Sequence, residues 1–342
     1  MKIILVFITA LLISCEQKKS EKKQQGNANI EVELIGVQKW FDAWELVAND
    51  ILKISSFEPP LMIFYDEIFV YTNTKEEIEN SLEIKGPQFF GKKEKWVKYK
   101  HYDKLTLPNG QITPIEIMSF AASGKKGSNQ TFFVMGTPSF WIQNQIQSDE
   151  LGDENLYTSI FLHEFAHSQQ NKNFGKKLQE FENEINPEIE LDDNLVQKQM
   201  DGNLEYNQSM KAEINLFYDA FWAIDPVDSK KLTKKALSMY NARQTQYFVG
   251  TKELFKTYDD FFITMEGIGK YVAFIWLTNP KGANLDNETA IEGLRRNKKW
   301  WSQDEGLAMF LLFYKQNTND IGKLMFGTDI ITINKCIEDI AY

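Results

Sequence analysis

Residues 161–167 read Phe161-Leu162-His163-Glu164-Phe165-Ala166-His167. Two of the three histidines in the 342-residue chain stand here, at the spacing H-E-x-x-H. From Leu156 to Gln170 there is no proline or glycine, and apolar residues recur at Ile160, Phe161, Phe165 and Ala166. That rhythm predicts a helix. On a helix, positions four apart lie one above the other, so both imidazoles point the same way. Two neutral imidazole nitrogens aimed at one point suit a zinc ion. Glu164 leaves the helix at another angle and can reach a water at that ion. The competing reading is two histidines on a solvated helix face beside a capping or salt-bridging glutamate.

Before the motif the sequence reads mainly as sheet. Gln38 to Ile54 is a helix by its Trp40, Phe41, Trp44, Val47 and Ile51 spacing. Leu61 to Tyr71, Lys92 to Tyr102, Ile112 to Ala121 and Gln130 to Met135 are strand candidates, and Lys75 to Leu82 is a candidate short helix. After the motif, Asn171 to Gly175 closes the helix, and carboxylate-rich Leu178 to Asn194 reads as a solvated segment. Helices are then expected over Leu204–Ala223, Leu232–Phe255, Phe261–Leu277, Arg295–Tyr314 and Asp329–Ile340. Sheet first and helices second is an α+β layout. The expected division is a sheet-bearing lobe with the motif helix, 31–175, and a helical lobe, 176–342.

Two histidines leave zinc one protein ligand short of a catalytic set of three. No histidine follows His167, so the third ligand is expected to be a carboxylate from another helix. Glu266 is the first choice, because Gly267 and Gly269 beside it let helices approach closely. Glu213 is the second, since it lies on a helix that reads as buried, where a carboxylate needs a partner. Glu305 is the third, in Glu305-Gly306-Leu307-Ala308. His101, the remaining histidine, reads as a surface or packing residue.

The motif resembles that of zincin metallopeptidases of the glutamate-ligand class. Met265-Glu266-Gly267-Ile268-Gly269-Lys270-Tyr271 resembles the E-G-[LIV]-[AG]-x-Y element that carries their glutamate ligand, and Glu305-Gly306-Leu307-Ala308 resembles it too. The third-histidine pattern of metzincins is absent. The resemblance implies a zincin-like fold and a zinc-dependent peptidase with a peptide or protein substrate; the alternatives are a non-catalytic zinc-binding lipoprotein of the cell envelope and a hydrolase of a non-peptide amide such as a peptidoglycan cross-bridge. It implies His163, His167 and Glu266 as metal ligands and Glu164 as general base. It also implies a tyrosine or histidine donor for the oxyanion, for which Tyr271, Tyr218 and His101 are the candidates. In such peptidases the last strand before the motif helix lies along the cleft and hydrogen-bonds to an extended substrate, a position held here by Thr131 to Met135; the competing reading is an ordinary edge strand.

The amino end reads separately. Lys2 and the apolar run Ile3 to Ile13 form a leader too short to span a bilayer. Leu12-Ile13-Ser14-Cys15 resembles the lipobox of bacterial lipoproteins. That implies removal of residues 1–14, acylation of Cys15, and a membrane-anchored protein of the cell envelope, at the outer membrane because no aspartate follows the cysteine. Residues 15–30 read as a flexible tether. Cys15 and Cys336 are the only cysteines, so no disulfide framework is expected. The net charge of −10 is expected to repel nucleic acid and anionic lipid rather than seek them. Apolar residues make up 43% of the chain, with 25 Phe, 13 Tyr and 8 Trp, enough for a large core.

Overall fold

The computed structural model describes residues 30–54, 59–124, 130–184, 191–316 and 321–342. The leader, Cys15 and nearly all of the tether lie outside these residues. The fold is mixed α+β, with a small mixed sheet in the first half and mostly helix elsewhere. Contacts divide the chain into two compact units. The first holds the described residues of Met1–Glu45 and Glu58–Ser168, the second those of Leu46–Phe57 and Gln169–Tyr342.

In the first unit, helix α1 (Ile35–Glu45) precedes ten strands. They are β1 (Leu61–Tyr65), β2 (Phe69–Thr72), β3 (Leu82–Ile84), β4 (Gln88–Phe89), β5 (Lys92–Lys93), β6 (Trp96–Lys100), β7 (Lys104–Thr106), β8 (Ile112–Pro114), β9 (Ser119–Ser123) and β10 (Thr131–Gly136). Six form one sheet in the order β3-β6-β2-β1-β10-β9. The central pair, β1 and β10, is parallel, with Ile63 opposite Val134. Both strands are continuous apolar runs, as strands covered on two faces must be. The other pairs in this sheet are antiparallel.

Three expectations need correcting here. Residues 75–81 form bends and turns rather than a helix, and Leu82 opens β3. The strand expected from Ile112 to Ala121 is two strands, because Pro114 brings no N–H to continue a ladder. Finally, β10 is not at the sheet edge. Its backbone is paired by β1 on one side and β9 on the other, so it has no free face for an added strand.

After β10 come α2 (Pro138–Gln143) and the motif helix α3 (Asp153–Gln169). Asp153 and Glu154 lie in the first turn of α3, where carboxylates favour the helix dipole. Nearly every residue from Leu156 to Ser168 is buried, which marks a core helix. One face is aromatic. Phe161 stacks on Trp40 at 5.5 Å and meets Phe133 of β10 edge-on at 5.3 Å. Phe165 meets Phe133, Trp44 and Phe89 at 5.5, 5.1 and 5.6 Å. These rings fix how α3 is turned on the sheet.

The second unit is helical: α4 (Lys176–Glu184), α5 (Leu195–Met200), α6 (Leu204–Trp222), α7 (Pro226–Tyr247), α8 (Leu254–Thr278), α9 (Asn287–Arg295), α10 (Trp301–Gln316), α11 (Ile321–Phe326) and α12 (Ile333–Ala341). The segment expected to be solvated begins as α4, with Leu178 and Phe181 buried; residues 185–190 lie outside the described set. Helix α8 is long and apolar enough to cross a bilayer, but it is largely buried in the fold and serves as its core helix. It packs most extensively on α10. A Cβ on Gly267 would stand 2.6 Å from the backbone of Gly306, and one on Gly306 would stand 2.2 Å from the Ile263 carbonyl oxygen. The two helices therefore touch backbone to backbone, which only glycine permits.

Candidate metal centre

The aromatic face of α3 dictates where the histidines go. At about 100° per residue, His163 and His167 lie about 200° from Phe161 and Phe165 respectively. With the rings held against the sheet, both imidazoles project from the far side of the helix. Their Nε2 atoms stand 3.2 Å apart, with the rings perpendicular. Two nitrogens each about 2.05 Å from a tetrahedral zinc would be about 3.3 Å apart. The same 3.2 Å is a hydrogen-bonding distance when one ring carries its proton on Nε2. His163, Glu164 and His167 are 6%, 4% and 7% exposed.

Glu266 lies on α8 and is 1% exposed. Gln303 of α10 donates from Nε2 to Glu266 Oε2 at 2.9 Å. The Gly267–Gly306 contact explains this bond, since it brings Gln303, one turn before Gly306, beside the residue preceding Gly267. The sequence reading assigned the small residue Gly267 to an approach on the motif helix. Its close neighbour is instead Gly306, so the two similar Glu-Gly stretches meet each other. Burial, and then the charge of Glu266, hold the Asp193 carboxyl well above the ordinary carboxylate range.

One ligand atom from each of His163, His167 and Glu266 lies within 4.8 Å of the other two, and all three side chains are buried. This His/His/Glu group can hold a metal ion. Among the described residues it is the group of that kind that meets these distances.

The rival carboxylates go elsewhere. Glu213 of α6 and Glu305 of α10, both 0% exposed, are bound to Arg243 of α7. Arg243 Nε donates to Glu213 Oε1, Nη2 to Glu305 Oε2 at 3.4 Å, and Nη1 to Asp259 Oδ2 at 3.0 Å and to the Tyr206 hydroxyl at 2.6 Å. Three carboxyls around one guanidinium leave negative charge in excess. Burial raises Glu213 to about 7, against the pull of Arg243. Burial and the charge of Glu213 hold Glu305 well above its ordinary value. Burial therefore favours the protonated form of both carboxyls, against the pull of Arg243.

The three candidate oxyanion donors are each placed in other surroundings. His101 Nε2 donates to the Asp66 carbonyl at 2.9 Å, while Nδ1 accepts from Asp103 N at 3.2 Å. Tyr218 donates to Asp304 Oδ1 at 2.9 Å, and Arg295 holds the same carboxylate. Tyr271 is buried, stacked on Phe310 at 5.8 Å and beside Phe274 and Tyr314. Two residues of consequence escaped the sequence reading. Arg243 falls at the spacing of Thr233, Ala236, Leu237 and Tyr240, the buried stripe of α7, and a charge on such a stripe is the signal of an internal ion cluster. Gln303 sits three and four residues before Gly306 and Leu307, also buried.

Comparison of the chain with models of known protein families, with curated proteins and with solved structures returns no match.

Proposed function

We propose that the chain is a zinc-dependent peptidase in which His163, His167 and Glu266 hold the metal and Glu164 is the general base. The observation that carries this reading is the buried group of two imidazoles and one carboxylate, with Glu164 beside His163 on the same helix. Two nitrogens and one carboxylate oxygen, with a position left for water, are a donor set suited to catalytic zinc. When bound, zinc polarises the scissile carbonyl and lowers the pKa of water. Glu164 takes the proton of the attacking water and returns it to the leaving nitrogen. It leaves α3 about 100° from His163, beside the ligands without being one of them. Gln303 holds Glu266 Oε2, which steadies the carboxylate. Tyr271, stacked among aromatic rings, has no step in this mechanism.

Packing of the motif helix on the sheet through Phe161, Phe165 and Phe133 supports a zincin-like arrangement. Strand β9, next to β10 and one of the two edge strands of the six-stranded sheet, is the edge assigned here to an extended peptide. The lipobox-like stretch ending at Cys15 supports export and attachment to the outer membrane. A second reading, a non-catalytic zinc-binding lipoprotein of the envelope, is favoured by the near-complete burial of His163, Glu164, His167 and Glu266.

The variant Glu164→Gln separates the two. It is expected to retain zinc while peptide-library cleavage falls at least about 100-fold, the lower end of a general base's contribution. Equal cleavage by both proteins would contradict the mechanism. Zinc retention with no cleavage by either would favour the second reading.

A further inference from the structure

The turn between α6 and α7 has an unusual surface. Trp222, Ile224 and Val227 are 47%, 98% and 74% exposed, within six consecutive residues. The turn is firmly built. Lys315 donates from Nζ to the carbonyls of Ala220, Phe221 and Ala223, closing the end of α6. Asp225 caps α7 by accepting from Val227 N at 2.7 Å, Pro226 fills the first helical position, and Ser229 Oγ donates to the Ala220 carbonyl at 2.7 Å. The fold thus holds three large apolar side chains outward at a rigid tip. Single exposed apolar residues are ordinary, whereas a cluster marks an interaction site.

The first turns of α7 carry a second feature. Lys230, Lys231, Lys234 and Lys235 fall within six residues of a chain whose net charge is −10. At about 100° per residue, all four lie within about 80° of Val227 around the helix axis. Lys230, Lys231 and Lys235 are exposed, and Lys234 is half-buried with its Nζ over the Tyr342 ring at 4.9 Å. The acidic side chains of the turn and its helices include Asp225, committed to the cap, Asp228 on α7 and Asp219 on α6, and α12, which packs on α7, carries Glu338 and Asp339; the lysine stripe is a local departure from the acidic total that would repel anionic lipid. The arrangement is an apolar tip, including a tryptophan, continued by a cationic stripe on one side of a helix. Tryptophan prefers the boundary between headgroups and acyl chains, and lysines near a membrane surface attract anionic lipid.

We propose that the α6–α7 tip docks on an anionic lipid bilayer. Trp222, Ile224 and Val227 enter the headgroup boundary, while α7 lies along the surface with its four lysines facing the phosphates. This surface is separate from the metal-binding group and does not depend on acylation of Cys15.

The test uses the full chain carrying Cys15→Ala and Ile224→Cys, with an environment-sensitive fluorophore on the new thiol. Cys336 is buried, and the protein without Ile224→Cys serves as the labelling blank. The probe reports on its own position however the rest of the chain meets the vesicle. Its emission is expected to shift to the blue with vesicles of phosphatidylcholine mixed with phosphatidylglycerol, and much less with phosphatidylcholine alone or at high salt. Each lysine changed to glutamine is expected to weaken the transition about fivefold. No shift with mixed vesicles would overturn the proposal, as would a shift indifferent to the lysines. A shift with poly-glutamate but not with vesicles would also overturn it, and would assign the tip to an acidic protein partner.

Discussion

Two buried polar groups in this protein use similar side chains to opposite ends. Around Arg243, the carboxyls of Glu213, Asp259 and Glu305 receive a cation from the chain itself, and burial raises the pKa of Glu213 and Glu305. In the other group, two imidazole nitrogens stand 3.2 Å apart with the Glu266 carboxylate near them. The first group is completed by the protein's own charges. The second brings two imidazoles and a carboxylate together in a group that can hold a metal ion. The sequence ranked Glu266 first, Glu213 second and Glu305 third, on their flanking residues. What separates them is which helix presents a guanidinium.

The largest effect that would sharpen this contrast is pH-dependent stability. Glu213 lies at about 7 in the folded protein, above its ordinary 4.5, and Glu305 is also raised. The folded pair therefore keeps a proton that the unfolded chain releases. Stability from that proton is complete below about 4.5 and is lost as pH rises through about 7. Glu305→Gln removes one of the two raised carboxyls, so the variant should lose less stability than the wild type as pH rises through this window. Urea unfolding at a series of pH values measures it. Parallel curves for the two proteins would mean that the pair holds no proton.

A smaller effect concerns Gln303, which belongs to the metal side of the comparison. Gln303→Ala should weaken zinc binding by 10- to 100-fold, the usual result of removing a group that orients a ligand. Competition with a chromogenic chelator reads the affinity directly. Unchanged affinity would show that the Gln303–Glu266 hydrogen bond only fills space.

Much of this arrangement was legible in the residues. H-E-x-x-H named its helix and both imidazoles, and Asp225-Pro226 and Asn279-Pro280 marked real helix boundaries. The α+β order followed from the change of apolar period along the chain. The failures have physical causes. The carboxylates of 178–194 outweighed Leu178 and Phe181, whose burial makes α4 part of the fold. The strand Thr131–Met135 looked like an edge because sequence does not tell which strands will flank it, and the β1 pairing is non-local. Gly267 signalled close approach correctly, but only coordinates show that Gly306 is what approaches. Arg243 was readable in principle as a charge on an apolar stripe, yet its three carboxyl partners come from three other helices.

In the proposed site, His163, His167 and Glu266 together hold one zinc ion. The most direct test is elemental analysis of purified wild type beside Glu266→Ala, Glu213→Ala and Glu305→Ala, with circular dichroism to confirm that each is folded. One zinc per chain is expected in the wild type and in folded Glu213→Ala and Glu305→Ala, with loss of the metal in Glu266→Ala. Full zinc content in Glu266→Ala, or a wild type that binds none, would contradict it.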